Sequence, residues 1–212
     1  MQLHLNKVIP TYFEAEKVKE SGIWLKDLAI RKGEFVKVVA PSGSGKTSLM
    51  HFLYGMRGDY NGSIAWGTLQ YPVSPEQLAK LRSDTISIVL QDLRLFPEQT
   101  VFQNIDIKRK LNPYHQPGRI KEMAEKLGIG TKLQSLCKTC SYGEQQRVAI
   151  IRALMQPFDF LLMDEPFSHL DNSNSEIAMQ LILEEAKARE AAIVFADLER
   201  IEFFPYETLY HL

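Results

Sequence analysis

The residues with the clearest chemical purpose lie between Pro41 and Ser48. The segment reads PSGSGKTS and follows FVKVVA, an apolar run that predicts a strand. Glycines at 43 and 45 allow the backbone to curl so that successive N–H groups point at one anion. The helix predicted to follow adds its unpaired N–H groups and the positive end of its dipole. The predicted phosphate-binding residues are Pro41, Ser42, Gly43, Ser44, Gly45, Lys46, Thr47 and Ser48.

Two side chains of this loop carry specific chemistry. Lys46 is placed to reach terminal phosphates, and the Thr47 hydroxyl is placed to complete a Mg²⁺ coordination sphere. The first glycine of the usual loop pattern is replaced by Ala40, which fits only if that residue keeps a negative φ. A plain Gly/Ser turn is the alternative, but it does not account for the Lys-Thr pair at the strand–helix junction.

A second chemical feature is the apolar segment Phe160–Met163, which ends in Asp164 and Glu165. At the carboxyl end of a parallel strand beside the phosphate loop, Asp164 is expected to hold Mg²⁺ through water. Glu165 is then expected to act as the general base that polarises the attacking water. Without other motifs, such an acidic pair is more often a solvated strand end or a helix cap. The presence of the phosphate loop in the same chain favours a catalytic role.

The run CSYGEQQRVAIIRAL, from Cys140 onwards, opens with a capping box formed by Ser141 and Glu144. It closely resembles the signature helix of ATP-binding-cassette (ABC) ATPases. The phosphate loop, Gln91, this helix, the acidic strand and the run from Ser168 to Asp171 follow that family's order and spacing over essentially the whole chain.

The resemblance implies a cassette that binds ATP with Mg²⁺ in a head-to-tail dimer. It implies that Gln91 ligates Mg²⁺ in catalysis and senses a transmembrane partner, and that Tyr12 or Phe13 stacks on adenine. A role for either aromatic in the core is equally compatible with the sequence. Signature and dimer-contact residues implied to approach the nucleotide of the other chain are Ser141, Gly143, Glu144 and Asp171.

Three positions depart from the family pattern. Besides Ala40, Tyr142 replaces the first signature glycine, where a phenol either blocks the opposing nucleotide or stacks on its ribose. Ala196 stands where the family usually has a histidine before Asp197, and alanine cannot hydrogen-bond to a γ-phosphate. His169, in the dimer-contact run, is not a substitute. Loss of one charge-stabilising donor typically costs about 10²–10³ in rate, so slow hydrolysis is expected.

The pattern of strands and helices predicted around these residues indicates an α/β fold. We expect a P-loop NTPase core with an N-terminal antiparallel β-subdomain and an inserted α-helical subdomain, forming one domain over residues 1–212. The core is expected to comprise 1–91 and about 156–212, and the helical subdomain about 92–155. Predicted strands are Gln2–Val8, Ile23–Ile30, Glu34–Ala40, Ser63–Leu69, Thr85–Leu90, Phe158–Met163, Ala192–Phe195 and Glu207–Tyr210.

Helices are predicted at Lys46–Arg57, from an N-cap at Ser74, and at about Ser175–Arg189, with a largely helical stretch over 98–155. Turns are predicted at 31–33 and at Asn61-Gly62. Within Leu93–Ile105, the apolar residues are expected to pack the helical subdomain, and the alternative is a groove for a membrane subunit's coupling helix. The residues concerned are Leu95, Phe96 and Phe102.

Composition limits the partners. The 212 residues carry 25 Lys+Arg and 26 Asp+Glu, a net charge of −1, which gives no reason to expect nucleic acid or an anionic membrane surface. No apolar run approaches the ~18 residues that span a bilayer, and the N-terminal segment does not read as a signal peptide. Cys137 and Cys140 lack a second ligand pair for zinc and are expected to be ordinary reduced thiols.

The predicted function is the ATP-binding subunit of an ABC transporter, with ATPase activity and a core most like the lipoprotein-release and macrolide-export type. Its expected partners are a second ATP-binding subunit, identical or different, and a separate transmembrane permease. The permease would hold the subunit at the cytoplasmic face of the cell membrane. Competing interpretations are a hydrolysis-poor regulatory subunit, a chromosome-maintenance ATPase of the same superfamily, and a P-loop kinase. The interval of about 95 residues between Lys46 and Ser141 leaves no room for the long coiled coils of the chromosome-maintenance class.

Overall fold

The structure is a computed structural model that describes residues 1–198 and 201–212. Within these ranges the chain forms two β-sheets and six α-helices. The strands are β1 (Gln2–Pro10), β2 (Asp27–Arg31), β3 (Phe35–Val39), β4 (Tyr60–Trp66), β5 (Leu69–Gln70), β6 (Ile86–Val89), β7 (Phe160–Asp164), β8 (Ala192–Asp197) and β9 (Thr208–His211). The helices are α1 (Lys46–Leu53), α2 (Pro75–Asp84), α3 (Val101–Leu111), α4 (Gly118–Lys126), α5 (Tyr142–Leu154) and α6 (Asn172–Ala188).

The two sheets differ in strand direction, as the sequence predicts. A four-stranded antiparallel sheet has the order β2-β1-β4-β5, and a five-stranded parallel sheet has the order β6-β7-β8-β3-β9. Every residue of β3, β7 and β8 is buried, as expected for parallel strands covered on both faces. The predicted α/β class with an antiparallel β-subdomain is therefore confirmed.

The register of the parallel sheet brings the chemical residues together. Asp164 at the end of β7 pairs with Ala196 on β8, and Asp197 pairs with Val39 at the end of β3. The carboxyl ends of these three strands therefore meet at one edge, from which the phosphate loop leads into α1. This edge is where ligands bind in open α/β sheets.

Helix α1 is shorter than predicted. The sequence suggests Lys46–Arg57, but the helix ends at Leu53 because Gly55 adopts a left-handed φ of 71°. The Gly55 N–H donates to Phe52 and the Met56 N–H donates to His51, which is the Schellman pattern that satisfies the last carbonyl groups. A Cβ at Gly55 would lie 2.8 Å from Leu78, so the position also requires a small residue.

Two further predictions in the antiparallel sheet are wrong. Asn61-Gly62 is not a turn but lies inside β4, where the pairing with β1 shifts register. Gly62 has φ 92°, and a Cβ there would lie 2.5 Å from two carbonyl oxygens of β1. A glycine is therefore needed at position 62 so that the backbone of β4 can approach β1 closely. The second strand begins at Asp27 rather than Ile23, because Leu25 takes a left-handed φ of 62°.

The helical stretch predicted over 98–155 consists of α3, α4 and α5, with α3 packed on α5. Helices α2, α3 and α5 each begin with a complete capping box, in which the N-cap hydroxyl and the Gln or Glu side chain three residues on exchange hydrogen bonds with the backbone. Local sequence therefore fixes these three helix starts. Both cysteines lie in this region, free and buried.

A buried ionic cluster ties the helical subdomain to the core. Glu185 on α6 lies 2.7 Å from both His115 and Arg119, and it also pairs with Arg189, whose other guanidinium nitrogen donates to the carbonyl of Leu154. Despite its burial, hydrogen bonds from His115, Arg119 and Arg189 hold the pKa of Glu185 down, at about 2. The carboxylate therefore needs its partners in order to remain charged inside the protein.

We expect Glu185→Gln to lower the free energy of unfolding by about 3 kcal/mol at pH 7, because the buried guanidinium of Arg189 and the half-buried one of Arg119 lose their counter-charge. A carboxyl whose folded pKa lies below its unfolded value stabilises the fold above the unfolded pKa. This contribution is lost as pH falls from about 4.5 towards 2. Urea unfolding across this range measures both effects. The matched control is Glu184→Gln, an exposed partner of Lys126, which should change stability by less than about 1 kcal/mol. Equal effects of the two variants would contradict the assignment.

Candidate nucleotide-binding site

The phosphate loop has the backbone that its sequence predicts. Gly43 and Gly45 both adopt left-handed φ, at 82° and 103°. A Cβ at Gly45 would lie 3.0 Å from Trp24 and 3.3 Å from Phe13, so this glycine is required by both backbone and space. Ala40 lies outside the left-handed region, which meets the condition for alanine at that position. Trp24 supports the loop from below, with its indole N–H 3.5 Å from the Ser44 carbonyl oxygen.

Lys46 lies at the start of α1 with a side chain only 4% exposed. Its ammonium donates to the carbonyl oxygens of Ala40 at 2.7 Å and Pro41 at 3.0 Å, and lies 3.4 Å from Oε1 of Glu165. Without a phosphate, the loop carbonyl groups and Glu165 together solvate the charge. An incoming polyanion therefore competes for a lysine that is already positioned.

Thr47, Gln91 and Glu165 form a chain of polar contacts across the site. The Thr47 hydroxyl donates to Gln91 Oε1 at 3.3 Å, and Gln91 Nε2 donates to Glu165 Oε2 at 3.4 Å. These residues share a cavity of about 230 Å³ with the phosphate loop. The cavity is lined by Tyr12, Phe13, Ser42, Gly43, Gly45, Lys46, Thr47, Ser48, Gln91, Glu165 and Leu198. Leu198 is a member that the sequence did not indicate.

Asp164 is the most strongly perturbed acid at this site. It is fully buried, and neither carboxylate oxygen has a hydrogen-bond partner within the described ranges. Burial, with the neighbouring Glu165 charge, raises the pKa of Asp164 to about 6, while Thr47 and Lys46 oppose the shift. An unpartnered carboxylate beside a hydroxyl and an amide oxygen is a hard-oxygen donor set that suits Mg²⁺, directly or through water.

The backbone of Glu165 is itself unusual. Its φ of 47° is left-handed, a conformation that is uncommon for non-glycine residues. The Glu165 N–H donates at 2.9 Å to the carbonyl oxygen of Ala196, which holds this conformation. Ala196 is fully buried on β8 and its methyl group packs in the core. Position 196 therefore contributes a backbone acceptor to the site and no polar side chain.

The two aromatic candidates for base stacking both line the cavity, but they differ in exposure. Tyr12 is 51% exposed, and its hydroxyl lies 2.6 Å from Ser48 Oγ. Phe13 is partly buried, with its ring edge against Trp24 and against Gly45 of the phosphate loop. Tyr12 therefore presents an accessible ring at the mouth, while Phe13 packs beneath the loop.

The signature residues are grouped at the N-terminus of α5. Ser141 caps the helix and Glu144 completes its capping box. Tyr142 is 47% exposed, with its ring centroid 4.1 Å from that of His169. A Cβ at Gly143 would lie 2.9 Å from the His169 carbonyl oxygen, so this glycine permits the loop before α6 to approach α5.

Asp171, the predicted dimer-contact residue, serves as the N-cap of α6 and accepts from the Asn174 N–H at 2.8 Å. Neither it nor Ser141, Gly143 or Glu144 lines the cavity around Lys46 in the described part of the chain. The chain thus brings together the phosphate loop, Gln91 and the acidic strand, and places the signature elsewhere. Pro41 and Ser44 support the loop from outside the cavity, where Ser44 Oγ donates to the Pro41 carbonyl at 2.7 Å.

Gln146 links the signature helix to the Glu165 segment and is not among the residues singled out from the sequence. It is fully buried in α5, where its amide nitrogen lies 3.3 Å from both the Glu165 carbonyl oxygen and Ser168 Oγ. Its amide oxygen accepts from the His169 N–H at 3.0 Å. A glutamine in the middle of an apolar helix face was the available signal, since such a side chain needs partners. It joins the signature helix to the catalytic strand.

Fold and site together define a P-loop nucleotide-binding protein of the cassette type. The family model described as ABC transporter matches residues 26–168. The chain therefore belongs to the ABC transporter family, in which it is the ATP-binding, ATP-hydrolysing component. The predicted family and function are thereby confirmed. In the described ranges, no helix is long and apolar enough to cross a membrane.

Curated relatives agree with this family. The lipoprotein-releasing system ATP-binding protein LolD of Legionella pneumophila (strain Lens) is 33% identical over 172 residues, covering 79% of this chain and 76% of that protein. The macrolide export ATP-binding/permease protein MacB of Nitrosomonas europaea is 35% identical over 172 residues, covering 79% of this chain but 26% of that longer protein.

Solved structures agree as well. The dimeric structure of MJ0796, a bacterial ABC transporter cassette, superposes with a TM-score of 0.78 at 27% identity, covering 93% of this chain and 88% of that chain. A post-hydrolysis state of the same cassette bound to ADP and Pi also superposes with a TM-score of 0.78, at 26% identity.

Asp164→Asn is expected to raise the free energy of unfolding of the nucleotide-free chain by about 1–3 kcal/mol at pH 7, because it removes a buried charge without a partner. Since the folded pKa of about 6 exceeds the unfolded value of 3.8, the parent should lose stability as pH rises between them. Urea unfolding without nucleotide or divalent cation tests this. The variant should lack that loss, whereas Asp27→Asn on exposed β2 should retain it. A variant with the parent's pH profile would contradict the assigned burial.

Proposed function

We propose that Lys46, Gln91 and Glu165 act on the phosphates of ATP bound in the cavity above the phosphate loop. The observation that carries the proposal is the convergence of these three side chains, joined by contacts of 3.4 Å, at the mouth of a loop with two left-handed glycines. Lys46 and the N–H groups of the loop and α1 bind the terminal phosphates. Tyr12 is the aromatic accessible for stacking on adenine, while Phe13 supports the loop.

Thr47, Gln91 and Asp164 are the residues that would hold Mg²⁺ with the nucleotide. When bound, the ion supplies charge neutralisation on the phosphate oxygens. Glu165, one residue beyond Asp164, acts as the general base and takes a proton from the attacking water. Phosphate entry draws Lys46 away from Glu165, which frees the carboxylate for this role.

A second ATP-binding subunit completes the site. Ser141, Gly143 and Glu144 lie at the N-terminus of α5, outside the chain's own cavity. The capping box engages the N–H groups of Ser141 and Glu144, so the Gly143 N–H and the positive end of the helix dipole are what α5 offers to the nucleotide of a partner chain. Asp171 sits beside them on the loop before α6. The dimeric structure of the similar cassette MJ0796 supports this arrangement, which suits an identical or a related partner.

A transmembrane permease is the proposed third component, and it holds this chain at the cytoplasmic membrane face. Phe96 is 49% exposed and Ile107 is 40% exposed, and with Phe102 they line a cavity of about 350 Å³ beside α3. Leu95 and Phe102 are partly buried against the core, as predicted for packing residues, whereas the packing prediction is wrong for the exposed Phe96. The cavity supports docking of a coupling helix from the permease. The LolD and MacB relatives support a partner of the lipoprotein-release or macrolide-export type.

Lys46→Ala is expected to weaken ATP binding at least tenfold, because the loop loses its only buried cation facing the phosphates among the described cavity residues. Glu165→Gln should instead bind ATP like the parent but lose hydrolysis by at least about 10²-fold. Calorimetric titration with MgATP and phosphate-release assays separate binding from chemistry. A Lys46→Ala chain that binds ATP as tightly as the parent would overturn the site assignment.

The parent chain is expected to hydrolyse ATP slowly, because position 196 offers only a backbone carbonyl to the site and Tyr142 occupies the signature face. Tyr142→Gly should strengthen ATP-dependent dimerisation if the phenol obstructs the opposing nucleotide. Tyr142→Phe keeps the ring and should behave like the parent. Light scattering with Glu165→Gln as background reports the dimer, and a parent turnover equal to that of cassettes carrying the histidine would refute slow hydrolysis.

A further inference from the structure

Tyr12 lies at the mouth of the nucleotide cavity, where its hydroxyl and its ring both have contacts, the ring with Arg57 and with Phe13, which is perpendicular to it at 5.1 Å between centroids. Its hydroxyl meets Ser48 Oγ at 2.6 Å, in the first turn of α1. The guanidinium carbon of Arg57 lies 5.3 Å from its ring centroid, which is within cation–π range. The ring is nevertheless 51% exposed, so a surface remains available to a ligand.

Arg57 reaches Tyr12 because α1 ends early. The helix ends at Leu53 with the Schellman turn at Gly55, so Arg57 lies beyond α1 and contacts Tyr12 and Ser48 instead of standing in a last helical turn. One guanidinium nitrogen lies 3.4 Å from Ser48 Oγ, the same atom that meets the Tyr12 hydroxyl. Arg57 therefore contacts Tyr12 in two ways: its guanidinium lies over the Tyr12 ring, and both side chains contact the Ser48 hydroxyl.

Asp59 fixes the orientation of Arg57. Arg57 Nε donates to one carboxylate oxygen of Asp59 at 2.9 Å, and a terminal nitrogen donates to the other oxygen, which makes the pair bidentate. The Asp59 carbonyl oxygen also accepts from the Thr11 N–H at 2.9 Å, one residue before Tyr12. The turn that carries Arg57 is therefore bonded to the segment that carries Tyr12.

An exposed aromatic side chain loses rotational freedom when a base stacks on it, and a residue that fixes the ring beforehand reduces that cost. We propose that Arg57, oriented by Asp59, is a positioning residue that fixes the Tyr12 ring as the platform for the base of the bound nucleotide. Arg57 acts through Tyr12 and does not contact the phosphates. This inference rests on the proposed function, because it deepens the role of the same nucleotide site.

The test measures MgATP affinity by calorimetry, and KM and kcat by phosphate release, for Arg57→Ala, Tyr12→Ala and the double variant. Arg57→Ala should raise Kd and KM about 3- to 5-fold with kcat unchanged. In the Tyr12→Ala background, the same substitution should have no further effect. Tripolyphosphate, which has no base, should bind the parent and Arg57→Ala chains equally. Arg57→Lys should recover part of the affinity, and Asp59→Asn should weaken it in the same direction.

Several outcomes would overturn the proposal. These are an unchanged ATP affinity in Arg57→Ala, a full effect that persists without Tyr12, or an equal loss for tripolyphosphate. Arg31→Ala, an exposed arginine on β2, is the matched control and should leave every parameter at the parent value. Failure of the nucleotide site itself would be recognised separately, since Lys46→Ala would then bind ATP and tripolyphosphate as the parent does.

Discussion

The structure depends on holding three charges, those of Lys46, Asp164 and Glu165, together in a largely buried space. Lys46 and Glu165 form a pair at 3.4 Å, but Asp164 is left without a partner and with a raised pKa. Such an arrangement is costly in a folded chain and becomes favourable when a polyphosphate and a cation arrive. Burial of β3, β7 and β8 on both faces provides the rigidity that this arrangement needs. Ligand binding therefore offsets the unfavourable electrostatic free energy of these buried charges.

The departures from the family pattern act on this arrangement in different ways. Ala40 changes little, because its backbone does not need the conformations reserved for glycine. Ala196 removes a side-chain donor but retains a structural role, since its carbonyl oxygen holds Glu165 in a left-handed conformation. Tyr142 acts outside the chain's own cavity, where its ring lies against His169. Binding and chemistry are thus affected at separate places, which suits the proposed dimer, in which the phosphate loop and the signature of one chain would face different nucleotides.

Much of the fold and site could be predicted because the signals are local. The loop from Pro41 to Ser48 and the capping boxes specify their own backbone through residue types at fixed spacing, and the structure confirms their elements. The end of α1 and the bulge at Gly62 could not be predicted in the same way. In both cases a glycine serves contacts with distant residues, namely Leu78 and the backbone of β1. Gln146 and the contact of Arg57 with Tyr12 were missed for the same reason, because Glu165, Ser168 and Tyr12 lie far from these residues in sequence.

Gln146 connects the signature helix α5 to residues outside that helix. One side chain on α5 bonds the Glu165 backbone, Ser168 and the His169 N–H, so the helix proposed to face another chain's nucleotide is hydrogen-bonded to the residue proposed as this chain's general base. In a symmetric dimer, the Gln146 of each chain would link the nucleotide of the partner to the Glu165 of its own chain, so the two links would connect both sites. A change of occupancy at either site would then act on Gln146, which contacts both elements. The two nucleotide sites of such a dimer would be coupled directly through Gln146, without a contribution from the membrane subunit.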